Sequence, residues 1–235
     1  MTNTQSSIDF VSGQVLLIDK PLEWTSFQVV NKLRWAIKKQ FNLKKIKVGH
    51  AGTLDPLATG LLIICTGKFT KRIEEFQAQV KEYTGTFTIG STTPSFDLET
   101  EIDKHFPTDH LTEEVIKSTA SQFIGIIEQK PPIFSAIKKN GKRLYELARA
   151  GETTEIKSRK VTIDTFEITN IDLPKIEFRV VCSKGTYIRS LANDFGIALK
   201  SGAHLSSLRR TKIGNFSVDK AYSIDSFLNT IGSNT

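Results

Sequence analysis

Gly49-His50-Ala51-Gly52-Thr53-Leu54-Asp55-Pro56-Leu57-Ala58-Thr59-Gly60 is the stretch on which the reading of this chain turns. It holds a single acid, Asp55, among small and rigid residues. Its glycines permit positive φ and the close approach of another backbone or a ligand. Pro56 fixes its own φ and keeps Asp55 out of the helical region. The apolar run Leu61-Leu62-Ile63-Ile64-Cys65 follows at once and reads as a buried strand. Asp55 is therefore expected on a stiff loop set against the core. An Asp before a proline ordinarily caps a turn, so the rest of the chain must decide whether this one does more.

The chain has 235 residues, 39% of them hydrophobic and 24% charged, which is ordinary for a soluble globular protein. A chain of this size needs no disulfide or metal to hold it. Cys65 and Cys182 lie in apolar, strand-like runs without metal-ligand spacing and read as reduced core thiols of a cytoplasmic protein. The four histidines are not paired in spacing, so no metal site is expected. No run reaches the roughly 18 apolar residues of a membrane span, and Met1 to Asp9 lack the basic start and apolar core of a secretory signal. The formal net charge is +7. Basic runs at Lys38-Lys39, Lys44-Lys45 with Lys47, Lys138-Lys139 with Lys142-Arg143, and Arg209-Arg210 with Lys212 suit a nucleic-acid backbone.

Taken in order, Val15-Leu16-Leu17-Ile18 reads as a strand that Asp19-Lys20-Pro21 ends. Thr25 or Ser26 can cap a helix with Val29, Val30, Leu33, Ala36 and Ile37 inward. Lys68 to Gln79 reads as helical, with Ile73 and Phe76 inward. Tyr83, Gly85, Phe87 and Ile89 alternate with threonines in a strand. Leu111 to Gln129 reads as a helix capped by Thr112 and then a strand, with Glu113 and Glu114 in the first turn, where the helix dipole favours them. Lys160 to Asn170 and Lys175 to Cys182 form two further strands. Thr186 can cap a helix with Ile188, Leu191, Ala192 and Phe195 inward, behind Gly185, whose position favours an anion. Gly214-Asn215 makes a hairpin turn, and a short helix near Ser223 to Leu228 closes the fold.

The Asp55 segment resembles the active-site motif of the TruB family of tRNA pseudouridine synthases, whose Asp is catalytic. Asp19, Lys20, Pro21, Thr25 and Ser26 match the family's first motif, with Glu23 where a glycine is usual. The resemblance extends over roughly Gly13 to Leu228. It implies an α+β pseudouridine synthase catalytic fold, with a mixed, largely antiparallel sheet and peripheral helices. A polar tail over 1–12, a catalytic domain over 13–228 and a tail over 229–235 follow from it. A basic insertion over about 132–158 would close on the RNA. The family's small C-terminal RNA-binding domain is expected to be missing, so affinity would rest on the catalytic domain. The resemblance makes Asp55 the catalytic carboxylate, Tyr83 the tyrosine stacked on the target base, and Tyr187 a second active-site tyrosine. Arg189 would pair with Asp55, and Leu208 would wall the uracil. His50 would fill the space the flipped nucleotide leaves or contact its phosphate. Lys71, Lys142 and Arg143 would contact RNA more loosely. The Thr93-to-Glu99 acids are expected to shape loops.

The implied partner is the T arm of tRNA and the implied reaction is isomerisation of uridine 55, by a monomer without metal, cofactor or membrane. The reaction moves no phosphate and no electrons between substrates, so no cofactor is expected. An Asp with an ordinary pKa of about 3.9 is kept ionised by a neighbouring arginine. Asp55 then either attacks C1′ of the sugar or takes the C2′ proton. Two rival readings stand beside this one. The first is a synthase acting on another RNA, such as a guide-dependent relative. The second is a tRNA-binding or folding module whose catalysis is incidental or lost, against which Asp55, Tyr83 and Arg189 argue, since binding alone does not need a buried acid facing a polyanion.

Overall fold

The structure is a computed structural model that describes residues 9–135, 138–139, 142–143 and 156–232. The chain folds into two compact units, one of Met1–Lys81 with Arg209–Thr235 and one of Glu82–Leu208.

The first unit is built on β3 (Ala58–Thr66). Its antiparallel partner β1 (Val15–Lys20) runs from Val15 opposite Cys65 to Lys20 opposite Gly60. The short β2 (Val48–His50) pairs with its far end, His50 opposite Ile64. β3 is apolar from Leu61 to Cys65 because both of its faces are covered there. Leu62 and Ile64 join Val29, Val30, Leu33 and Ile37 of α1 (Ser26–Gln40) and Phe227 and Ile231 of α5 (Ile224–Gly232). Leu61, Ile63 and Cys65 face Ala51, Ile213, Val218 and Phe76 of α2 (Ile73–Ala78). A 3-10 segment, Gly67–Arg72, precedes α2, where the sequence suggests a single helix. Thr25 caps α1 as expected, in a box completed by Gln28. Glu23 keeps the left-handed turn that a glycine would adopt without strain, at φ 65°, and its N–H donates to the Pro56 carbonyl at 2.9 Å.

The terminal boundaries shift. Phe10 is 2% exposed and packs edge-on to Phe41 at 5.1 Å, so the core already includes part of the expected tail over 1–12. At the other end α5 continues to Gly232 because Ile231 still meets the core. Residues 1–8 and 233–235 of the expected tails lie outside the described residues.

The second unit holds β4 (Lys81–Ile89), β11 (Lys175–Cys182), β10 (Arg159–Asp172) and β7 (Gly125–Gln129) side by side in that order. The β10–β11 and β10–β7 pairs are antiparallel. A small ladder, β5 (Ser91–Thr92) with β6 (Lys104–His105), and a hairpin, β8 (Lys138–Lys139) with β9 (Lys142–Arg143), complete its strands among the described residues. α3 (Glu113–Ser121), capped by Thr112, and α4 (Ile188–Ala198) are its helices among those residues. Five phenylalanines make its core. Phe87 stacks on Phe178 at 4.1 Å, and Phe195 meets Phe166 edge-on at 5.3 Å, with Phe123 against both Phe166 and Phe195. β12 (Ala203–Ile213) supplies its first half to this unit and its second half to the other, where it turns back through β13 (Phe216–Ser217). Gly85 is a glycine because a Cβ there would overlap the Ser207 carbonyl of β12.

Cys65 and Cys182 are thiols buried in the core, 0% and 1% exposed, and burial pushes the Cys65 thiol up to about 11. No described helix is long and apolar enough to cross a membrane. Leu33 is fully buried between α1 and the sheet. Leu33→Ala is expected to destabilise the protein by about 2–5 kcal/mol, read as a lower denaturant midpoint with an unchanged m-value.

Candidate active site

The loop that carries Asp55 belongs to the first unit, and its carbonyls are held in turn. The Gly52 carbonyl accepts from Arg210 Nη2 at 3.1 Å, and the Thr53 carbonyl from Nη1 at 3.5 Å. Leu54 is gripped at both ends by Ser26, whose hydroxyl accepts its N–H at 2.9 Å and donates to its carbonyl at 3.1 Å. The Asp55 carbonyl accepts the Ala58 N–H at 3.1 Å, and that of Pro56 accepts Lys20 Nζ at 3.3 Å as well as the Glu23 N–H. Every carbonyl from Gly52 to Pro56 thus has a donor. Arg210 Nε also binds the Leu61 carbonyl at 2.8 Å, which ties the loop to β3. Gly60 is required beside it, since a Cβ at its φ of 104° would overlap the Arg210 backbone.

Two cations here are buried, Arg210 at 1% exposed and Lys20 at 0%. Lys20 Nζ also donates to the carbonyls of Pro21 at 2.8 Å and Trp24 at 2.6 Å. Burial lowers its pKa from 10.5 to about 8, against the attraction of Asp55 and Asp19 and with the repulsion of Arg210. His50 lies at the end of β2, before the loop. Burial first, and then the Arg210 charge, hold its pKa below the usual 6.5, so its ring is neutral at pH 7. Arg209 makes a two-pronged pair with Asp19 at 3.0 and 2.7 Å. The Arg209-Arg210 run, which in sequence suits an RNA backbone, is thus engaged within its own unit. Adjacent strand residues point to opposite faces, and this is the signal that the two arginines cannot serve one surface. Lys71 is exposed on the 3-10 segment.

The second unit carries Tyr83, Tyr187, Arg189 and Leu208. Tyr83 is 9% exposed on β4, and Leu208 is half-buried on β12. Tyr187, not Thr186, is the N-cap of α4; Thr186 instead donates to the Ser183 carbonyl at 3.0 Å. Gln129, 0% exposed, fixes the N-cap residue itself. Its Oε1 accepts the Tyr187 N–H at 2.8 Å and its Nε2 donates to the Tyr187 carbonyl at 3.0 Å. The Arg159 guanidinium lies 4.7 Å from the Tyr187 ring centroid and donates to the Gly185 carbonyl. Arg189, 4% exposed, donates through Nη2 to the Phe134 carbonyl at 2.9 Å, and its Nε stands 3.4 Å from Asp97 Oδ2. Asp97, 5% exposed, accepts the Glu99 N–H at 2.9 Å and bridges to Leu205 of β12. Asp97 shapes the loop, as expected of its segment, and also pairs with Arg189. Of Lys142 and Arg143 only the β9 backbone is described, and most of the expected insertion, 136–137, 140–141 and 144–155, lies outside the described residues.

The Lys20 ammonium gives a signed pH dependence. Its folded pKa is depressed, so between pH 8 and 10.5 the unfolded chain still holds the proton that folded Lys20 has released. Its contribution to stability therefore rises with pH across that window. The unfolding free energy of the wild type relative to Lys20→Met is expected to climb from pH 8 to 10.5. A flat difference in parallel urea titrations would refute the lowered pKa.

The comparisons with known proteins agree on one family. A model described as TruB family pseudouridylate synthase (N terminal domain) matches residues 38–188, and one described as tRNA pseudouridylate synthase B C-terminal domain matches 189–234. The chain is 68% identical over 220 residues to tRNA pseudouridine synthase B of Flavobacterium johnsoniae, covering 93% of this chain and 96% of the relative. It is 58% identical over 220 residues to the protein of that name from Phocaeicola vulgatus, covering 94% of each. Among solved structures it matches a chain of a Cbf5-Nop10-Gar1 complex with a TM-score of 0.70 and 30% identity, covering 94% of this chain and 54% of that one. The chain is a member of the TruB family of pseudouridylate synthases.

Proposed function

We propose that this enzyme converts uridine to pseudouridine at position 55 in the T loop of tRNA, with Asp55 as the catalytic carboxylate. The observation that carries the reading is the identity of 68% to a tRNA pseudouridine synthase B across 93% of the chain. The pinned backbone from Gly52 to Pro56 supports the assignment of Asp55, because a carboxylate that must meet a sugar carbon needs a fixed origin.

In this reading the target nucleotide leaves its stack at a cost of a few kcal/mol. Stacking on Tyr83 offsets about 1–3 kcal/mol of that. The C1′–N1 bond breaks with Asp55 attacking C1′ or removing the C2′ proton. The uracil turns, C5 joins C1′, and the C5 proton leaves. Tyr83 holds the ring and helps remove that proton, while Leu208 supplies an apolar wall. A neutral His50 suits filling the vacated space better than pairing with a phosphate. Pairing of Arg189 with Asp55, which would keep the acid ionised, belongs to the same proposal, as does a cytoplasmic monomer that binds the T arm. The likeness to an H/ACA RNP bound to a substrate RNA, at 28% identity and 54% of that chain, favours another RNA target less than the identity of 68% to a tRNA pseudouridine synthase B favours tRNA.

Tritium release from C5-labelled uridine in an unmodified elongator tRNA transcript tests this. The wild type is expected to release tritium. Asp55→Asn is expected to lower the rate by at least about 10³-fold, and a transcript with cytidine at position 55 to show no release from that site. No release by the wild type would overturn the assignment of substrate. A double-mutant cycle of Asp55→Asn and Arg189→Met with additive losses in activity would remove the proposed pairing.

A further inference from the structure

Between Glu23 and Asp55 there is no acidic residue, yet seven basic residues lie between Lys32 and Lys47. The chain's whole formal net charge of +7 resides there, and elsewhere Lys and Arg balance Asp and Glu. The segment comprises α1, the loop after it and β2. Its inner face is spent on the core through Val29, Val30, Leu33 and Ile37. The outward face carries two adjoining stripes at helical spacing. One runs Gln28, Lys32, Trp35, Lys39 and the other Phe27, Asn31, Arg34, Lys38. Trp35 is 59% exposed and Phe27 62%, large apolar side chains that ordinary packing would cover. Lys39 Nζ sits 5.0 Å from the Trp35 ring centroid. Lys44, Lys45 and Lys47 are exposed on the following loop.

The position of this face matters as much as its charge. Ser26, the first residue of α1, is the one that grips Leu54 beside Asp55. Arg34 Nη2 donates to the Val48 carbonyl at 3.2 Å, so the helix is also tied to the strand that leads into the Asp55 loop. From that anchor the 15 residues of α1 extend about 22 Å at about 1.5 Å per residue. A flipped nucleotide occupies only the near end of such a length.

We propose that the outward face of α1 and the Lys44–Lys47 loop form a second RNA-binding surface, which holds the phosphate backbone of the substrate RNA away from the reacting nucleotide. Charge complementarity names the occupant: a face free of acids, with lysines set between exposed aromatics, fits a polyanion that also offers flat bases and sugars. The proposal rests on the enzyme acting on RNA, and its test separates the two. Lysines on this face place phosphates without reading sequence. The surface therefore raises affinity for the whole RNA and leaves chemistry on bound substrate alone.

The test is a Lys32→Glu/Lys38→Glu/Lys39→Glu variant, titrated with full-length tRNA transcript at several salt concentrations, with tritium release measured at saturating RNA. The expected result is at least about tenfold weaker binding, a salt slope smaller by about two to three, and an unchanged rate at saturation. Affinity and slope indistinguishable from those of the wild type would overturn the surface. So would binding to phosphatidylserine vesicles that the charge reversal abolishes while tRNA binding stays intact. If the wild type bound tRNA but released no tritium, the substrate assignment would fall, and the loss of affinity in the variant would still decide the surface. A second variant avoids any folding defect of the triple reversal. Trp24→Phe leaves Trp35 as the sole tryptophan; tRNA is expected to quench its fluorescence, and an unaltered spectrum at saturation would count against the contact.

Discussion

Backbone carbonyls from Gly52 to Pro56 are the constraint on which the first unit depends. The residues from Gly52 to Pro56 belong to neither helix nor strand, so their peptide groups have no ladder to satisfy them. Apart from the Ala58 N–H, which meets the Asp55 carbonyl locally, the donors come from distant parts of the chain: Ser26 at the head of α1, Lys20 at the end of β1, and Arg210 from β12. Each donor also anchors the element that carries it. The loop and the unit around it are therefore one construction, and loosening the loop would take from each of two buried cations part of its acceptors, leaving Lys20 the Pro21 and Trp24 carbonyls and Arg210 that of Leu61.

The second unit solves a related problem with neutral groups. The start of α4 has no side-chain cap of its own, and Gln129 reaches across from β7 to meet both backbone groups of Tyr187. Tyr187 and Arg189 both issue from that fixed helix start. Asp97, held by Glu99 and the bridge to β12, brings an acid to Arg189 where a buried guanidinium requires one.

Much of this was legible in the sequence. The apolar run of β3, the Thr25 and Thr112 caps and the alternation from Tyr83 to Ile89 rest on local periodicity and local hydrogen bonds, which a single stretch of chain contains. The left-handed turn at Glu23 was open to question because glutamate resists it, and the turn survives because Pro56 accepts its N–H. Lys20, Arg210, Gln129 and Asp97 were not legible as structural members. Their partners lie tens of residues or more away for the most part, and a polar residue in a strand carries no mark of whether it will meet water or a carbonyl. Arg209-Arg210 illustrates the error that follows, since composition counts both as surface charge while the pleat turns one inward.

The two thiols lead to a practical end. With both cysteines sealed in the core and the Cys65 pKa at about 11, the reactive thiolate is present at neutral pH at about one part in ten thousand for that residue. Alkylating reagents and mild oxidants should find almost nothing to attack in the folded protein. A cysteine placed by mutation on an exposed position would therefore take a fluorophore or spin label selectively, with the native sequence otherwise intact.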